Sequence, residues 1–279
     1  MAITRFRPEI WSALLLTSLK KAHIYAALCN RDYEGEITAA GDTVRVTSVS
    51  RPTVNTYSRN TDIAYEELTD AQRTLVVDQE KYWAFSLDDV DKAQAKGDVM
   101  GPAMEESGYA VNDVVDSYVA GLYTQAAAAN AIGTVSVTTG DIAYTQIRLL
   151  GLRLTKASVP RAGRWAVLPP FMASLLLENG KFVNNANPGV NSSAHLIEGW
   201  IGRALGFDLY ESNNAPLVTG DDYAVLAGNN RAITFASQIT RTEALRSEVR
   251  FADRMRGLYV YGAKVMRPDG LATLVASET

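Results

Sequence analysis

Residues 42–91 read DTVRVTSVSRPTVNTYSRNTDIAYEELTDAQRTLVVDQEKYWAFSLDDVD. A strand-like run, Thr43 to Thr47, opens this stretch. A second, Thr74 to Leu87, closes it, with Trp83, Phe85 and Leu87 at period two. Alternation of this kind marks a strand with one buried face. Between them, Arg51 to Gln72 holds few apolar residues, with a period of neither two nor 3.6. A structureless loop of that length is uncommon in a compact domain and is usually functional or disordered. Two strands with such a tip predict an antiparallel arm. A lone two-stranded arm is at best marginal in water, so it is expected to lie on another molecule. That points to an assembly protein before any motif is considered.

Upstream, Pro8 is a good first-turn residue. Ile10, Trp11, Leu14, Leu15, Ala22, Tyr25 and Leu28 then recur near helical spacing, which predicts a helix from about Pro8 to Leu28. Its apolar stripe includes Trp11 and needs a cover. Downstream, Met100, Met104, Val111, Val115, Tyr118, Leu122 and Ala126 step by three, four or seven. They predict one long helix over Asp98 to Ala129, about 48 Å at 1.5 Å per residue. Gly101-Pro102 is expected to delay its start and Gly108 to bend it.

The rest reads as a compact α/β unit. A short strand at Val135 to Val137 precedes a helix, Ile142 to Lys156, capped by Thr139 or Asp141. Trp165 to Leu168 is a buried-type strand, and Pro169-Pro170 opens a short helix through Glu178. A polar loop covers Lys181 to Ser193. Phe207 to Tyr210, Tyr223 to Leu226 and Ala232 to Phe235 read as strands, and Val249 to Val275 is strand-like again. Within it Arg267-Pro268-Asp269-Gly270 is a turn, because Pro fixes φ and Gly tolerates positive φ; a terminal hairpin through it is expected.

The chain has 279 residues, 47% of them hydrophobic, and a net charge of −4. That balance argues against tight nucleic-acid binding, which needs clustered Lys and Arg to release counterions. It is compatible with enclosing DNA without gripping it. The single cysteine, Cys29, cannot form an intrachain disulfide and reads as a small buried hydrophobe. No run approaches the apolar length of a membrane span. The opening MAITRFRPEIW lacks a signal peptide's apolar core, so a cytoplasm-like place of synthesis is expected.

Catalytic constellations are hard to assemble from these residues. The two histidines, His23 and His195, have no His or Cys at ligand spacing, which disfavours a transition-metal site. Gly199, Gly202 and Gly206 match neither the dinucleotide fingerprint nor a P-loop and are read as turn glycines before the strand at Phe207. Asp88, Asp89 and Asp91 lack the remaining ligands of a calcium loop and read as a solvated hinge or cap; Asp221-Asp222 reads as a turn. No catalytic residue, cofactor or metal is assigned.

The phrases FRPEIWSALLLTSLKKAHIYAALCNRDYEGEI, AAGDTVRV and DQEKYWAFSLDDVDKAQ resemble the N-terminal third of tailed-phage major capsid proteins, in the group similar to the coat protein of phage P-twenty-two. RWAVLPP, GWIGRALGFDLYESNN and FADRMRGLYVYGAKVMRPDGL continue the resemblance in the same order. It implies an α+β protein of the Hong Kong 97-type capsid fold. The implied parts are an N-terminal arm (1–35), an extended β-hairpin loop (36–91), a peripheral domain with a spine helix (92–139), an axial domain (140–244) and peripheral return strands (245–279). The implied function is a non-enzymatic major capsid protein that assembles through hexamers and pentamers into an icosahedral shell around phage double-stranded DNA.

On this reading Arg51, Arg59, Glu66 and Glu67 form intersubunit ion pairs on the extended loop, and Trp11 packs the N-terminal arm on a neighbour. Arg267, Pro268, Asp269 and Gly270 fall where the family makes threefold contacts, and hinges are expected at Gly35, Gly41 and Gly97. Ion pairs exposed within one subunit are worth only about 0 to 1 kcal/mol each, but across a repeated interface they set register. The chain begins directly at the arm, so a separate scaffolding protein is expected, with a portal and decoration proteins as further partners. No lysine lies between Asp42 and Glu80. The loop therefore lacks the donor through which some members cross-link, and a non-covalent shell is expected. An encapsulin-type compartment shares the fold, and a soluble α/β enzyme with the arm as a lid is the remaining alternative.

Overall fold

The computed structural model describes residues 23–32, 43–49, 53–56, 59, 62, 65, 70–89, 100–179 and 200–278. Strands β1 (Thr43–Val49) and β2 (Asp70–Val76) form a two-stranded antiparallel hairpin, with Thr43 opposite Val76 and Val49 opposite Asp70. The run from Thr74 to Leu87 is not one strand. It breaks at Val77-Asp78, and β3 (Gln79–Asp88) leaves the hairpin. β3 becomes the edge of a three-stranded sheet with β10 (Ile233–Arg246) and β11 (Ala252–Val265), in the order β10-β11-β3. Trp83, Phe85 and Leu87 therefore serve the body rather than the arm. Their period-two signal says that one face is covered, and Gly257 of β11 lies opposite Trp83 to make room for the indole.

Helix α1 (Met100–Gly121) carries Pro102 in its first described turn, where no intrahelical N–H partner is lost. It ends well short of Ala129. Short 3-10 turns follow at Leu122–Gln125 and Ala128–Asn130. Alanines 126–129 favour a helix by propensity, yet tertiary bonds draw them off its axis. The Ala127 N–H donates to the Pro268 carbonyl at 3.2 Å. The buried Asn130 side chain donates to the carbonyls of Asp269 and Leu271, both at 2.9 Å.

A larger mixed sheet has the order β4-β12-β9-β5-β7-β6, with β8 on β9. Its strands are β4 (Ala131–Ser136), β5 (Arg164–Leu168), β6 (Trp200–Ala204), β7 (Phe207–Glu211), β8 (Leu217–Thr219), β9 (Asp222–Asn229) and β12 (Leu271–Ser277). β5 is buried throughout, as its continuous apolar run predicts for a central strand. Alternate residues serve different cores. Ala166 and Leu168 pack under α2 (Gly140–Lys156) and α3 (Pro170–Leu177), with Ile147, Leu150, Leu154 and Phe207. Trp165 and Val167 pack on the opposite side with Val119 of α1, Phe235 and Tyr261. Thr139 caps α2, accepting from the Ile142 N–H at 3.4 Å, with Asp141 in the first turn and Arg153 and Lys156 in the last.

Other strand readings change as well. β11 and β12 are not a hairpin: the turn at Pro268–Gly270 carries the chain from one sheet into the other. β10 is far longer than Ala232 to Phe235. Its distal half, ITRTEALR, lacks an apolar alternation, and its ladder with β11 defines it instead. Ahead of Phe207 the glycine reading holds for Gly206 alone: Leu205 and Gly206 take positive φ (54° and 84°) in the β6–β7 turn, whereas Gly202 lies within β6 opposite Leu209 and Gly199 is outside the described residues.

Candidate assembly surfaces

The hairpin β1–β2 has an anchored base and an exposed far end. At the base, Leu75 and Val77 are fully buried with Ala236, Val260 and Met266. The Lys264 ammonium donates to the Thr74 carbonyl at 2.9 Å. Gly262 of β11 lets the backbone at Val76-Val77 lie directly on it; a β-carbon there would stand 2.9 Å from Val77 Cα and closer still to the Val76 carbonyl oxygen. Beyond the strands, Val54 is 96% and Tyr65 94% exposed. Both side chains are open to contact by another molecule.

A second projection is the far end of β10–β11. Val249 and Phe251, in the turn between the strands, are 85% and 80% exposed. Below them Arg246 pairs with both Asp89 and Asp253, at 2.9 Å to each carboxylate. Arg256 pairs with Glu243 across the same ladder. The two carboxylates hold the Arg246 guanidinium above its ordinary pKa. The β10–β11 ladder sets the register of these strand ends and the exposed pairs brace it, while the Asp89 N–H donates to the Phe251 carbonyl at 2.9 Å and Val249 and Phe251 stay exposed. Sequence reasoning missed this site; the isolated apolar pair in SEVRFAD, flanked by charge, was its signal.

Two buried polar clusters set the frame. Asp116 of α1 is fully buried and accepts from the Ala26 N–H and the Asn214 amide, each at 3.2 Å. The same Asn214 amide reaches Asp113 at 2.9 Å, and His23 lies 3.7 Å from Asp113. Burial raises the Asp116 pKa, while its hydrogen bonds to Ala26, Asn214 and Ile24 and the nearby His23 oppose that rise. The cluster ties residues 23–30 and the β7–β8 connection to α1. Arg164, also buried, donates to Pro160 O (2.9 Å), Gly151 O (3.3 Å), Thr155 Oγ1 (3.1 Å) and Val159 O. It closes the carbonyl end of α2, where a cation complements the dipole; burial, then Arg161, lowers its pKa.

Of the residues singled out in the sequence, Arg59 is described and exposed. Trp11, Arg51, Glu66, Glu67, Gly35, Gly41, Gly97, Asp91 and His195 lie outside the described residues. Arg267 and Asp269 are exposed and Gly270 is buried, a β-carbon there meeting that of Ala232 at 3.0 Å. The backbone of this turn is used inside the subunit. Cys29 is buried and donates to the Tyr25 carbonyl at 3.2 Å; burial pushes its thiol up to about 12. Among the described residues no three His, Cys, Asp or Glu side chains gather as a metal site, and no helix is long and apolar enough to cross a membrane.

A hairpin arm beside a long helix, with apolar ends on two projections, is the geometry of a shell subunit. The comparisons bear this out. A family model described as phage capsid protein matches residues 71–274. A solved chain from Mycobacterium phage Che8 is 33% identical, with 98% of each chain covered and a TM-score of 0.79. A chain from the capsid of cyanophage P-SCSP1u is 20% identical, covers 95% of this chain and 91% of its own, and has a TM-score of 0.75. The capsid of Ralstonia phage GP4 gives 13%, 100%, 98% and 0.67 in the same order; these last two speak to fold alone. No curated protein sequence matches.

The chain belongs to the phage capsid protein family. It is a major capsid protein of the α+β, Hong Kong 97-like fold, a structural and non-enzymatic component of the virion shell. The encapsulin and enzyme alternatives gain no support.

Proposed function

We propose that this major capsid protein builds an icosahedral shell from hexamers and pentamers around double-stranded DNA, held without covalent cross-links. The observation that carries the reading is the near-complete exposure of Val54 and Tyr65 beyond a hairpin whose base is locked into the body. Apolar groups held out in water by a rigid base are suited to a neighbour's surface. Burying one large apolar side chain contributes about 1.5 to 3 kcal/mol, so each contact is reversible and closure makes the sum lasting.

In this reading residues 1–35 are an N-terminal arm, packed on a neighbour through Trp11. Residues 36–91 form the extended loop, with β3 as its return into the peripheral sheet. Residues 92–139 and 245–279 form the peripheral domain and 140–244 the axial domain. Arg51, Arg59, Glu66 and Glu67 give the loop its intersubunit charges. Hinges at Gly35, Gly41 and Gly97 let one chain serve both capsomers. The exposed Val249–Phe251 turn and the Arg267–Gly270 turn are its further contacts, the latter at threefold positions. Assembly takes place in the host cytoplasm with a separate scaffolding protein, a portal and decoration proteins as partners. DNA is enclosed without sequence-specific binding.

The test is Arg59→Glu. Electron microscopy is expected to find no normal particles while the purified subunit melts as the parent does. Normal particles from this variant, or ladders on a denaturing gel of parent particles, would refute the ion-pair or non-covalent part respectively.

A further inference from the structure

Beside the hairpin base lies a groove between the two sheets. One cavity of about 620 Å³ is lined by Arg73 of β2, Asn229, Arg231, Arg267 and Asp269. A second of about 630 Å³ shares Asn229 and Arg231 with it and continues to Arg31 and Asp32. Arg73, Arg231 and Arg267 are exposed, and among the described residues none of them has an ion-pair partner. In a chain of net charge −4, this grouping of arginines around one concave surface needs an account.

Its complement is in the same sequence. The groove carries four arginines (31, 73, 231, 267) and two aspartates (32, 269). Residues 51–70 carry the reverse, two arginines (51, 59) and four carboxylates (62, 66, 67, 70). Val54 and Tyr65 of that segment stand in solvent rather than in the groove of their own chain. We infer that the groove receives residues 51–70 of a second copy, with Glu66 and Glu67 set against Arg231 and Arg267. Each subunit then offers one loop and one groove. Such head-to-tail contacts close into rings when the rotation per step allows, and complementary charge fixes the register. A nucleic-acid backbone fits less well, because it has no cation to meet Asp32 and Asp269, whereas the loop carries Arg51 and Arg59. The inference rests on the shell reading above and names the receiving surface within it.

Two measurements separate the inference from that reading. In the first, a labelled peptide of residues 51–70 is titrated into the isolated subunit and followed by anisotropy. Binding is expected, weakened at high salt as exposed charges are screened, and reduced roughly tenfold or more by Arg231→Glu with Arg267→Glu. No binding, or equal binding to that variant, overturns the inference without touching the shell reading. In the second, particle yield is scored for three variants: the groove double variant, Glu66→Arg with Glu67→Arg, and their combination. Each double variant should lose particles while melting as the parent does, and the combination should recover them. Parental yield from the groove variant, or no recovery in the combination, overturns the inference. So do particles of normal yield that fail to retain DNA, which would assign the groove to phosphate. Absence of particles from the parent chain would fail the shell reading alone.

Discussion

Gly262→Ala is the substitution whose cost follows most directly from the packing. Gly262 lies in β11 beneath the junction of β2 and β3, where the hairpin meets the body. An added β-carbon would sit 2.9 Å from Val77 Cα. Carbon atoms prefer about 3.5 to 4.0 Å, so the junction must retreat by roughly 0.6 Å or more. The obstacle is backbone, and no side-chain rotation relieves it. Leu75 and Val77, 0% and 1% exposed, move with that backbone. Their burial contributes about 3 to 6 kcal/mol together. A gap of 0.5 to 1 Å forfeits about a quarter to a half of each contact. With the strain of an overfilled site, the loss comes to about 2 to 4 kcal/mol. Urea unfolding of the isolated subunit should show a lower midpoint with an unchanged slope, and particle formation should fall because the arm is re-aimed. A loss under about 0.5 kcal/mol would refute the reasoning. Gly108→Ala supplies the contrast: nothing lies within 4 Å of its β-carbon position inside α1, and a gain of about 0.5 to 1 kcal/mol is expected.

Asp116 carries a pKa raised chiefly by burial. The unfolded carboxyl loses its proton first as pH rises, so the cost of the buried carboxylate appears above the ordinary carboxylate range and is complete once the raised folded value is passed. Denaturation of the parent and of Asp116→Asn at pH 4 and pH 7 should therefore show the parent gaining relative to the variant on acidification; a constant difference would refute this. Cys29, its thiol pushed up to about 12 and buried, should react with iodoacetamide at pH 8 far more slowly in the folded subunit than in urea, by thiol-labelling mass spectrometry.

Much of the fold was legible because period and burial coincide. β5 reads as a buried run because both of its faces are covered. The 3.6-residue stripe of α2 reads as a helix because only one of its faces is. Pro-Asp-Gly reads as a turn because φ constraints are local. The distal half of β10 was not legible, since its residue types carry no apolar alternation and only the ladder with β11 makes them a strand. The Ala126–Ala129 run misled for the converse reason: its propensity is intrinsic, but bonds to the Pro268–Leu271 turn, about 140 residues away, override it. Among the assembly residues, the loop charges could be counted from sequence. The apolar pair Val249 and Phe251 stood out in SEVRFAD, but its exposure followed only once the strands on either side had been placed.

By itself, the sequence determined that residues 42–91 hold strands around a polar tip with too little to bury. That follows from residue type and spacing alone. Tertiary structure decided how those strands are shared out. β1 and β2 pair with each other, while β3 turns at Val77-Asp78 to join β11, where Gly257 admits Trp83 and Gly262 admits the backbone at the junction. The reason is physical: alternation reports that a face is covered, whereas the identity of the covering strand depends on pairings 164 to 182 residues apart in sequence, which no local pattern encodes.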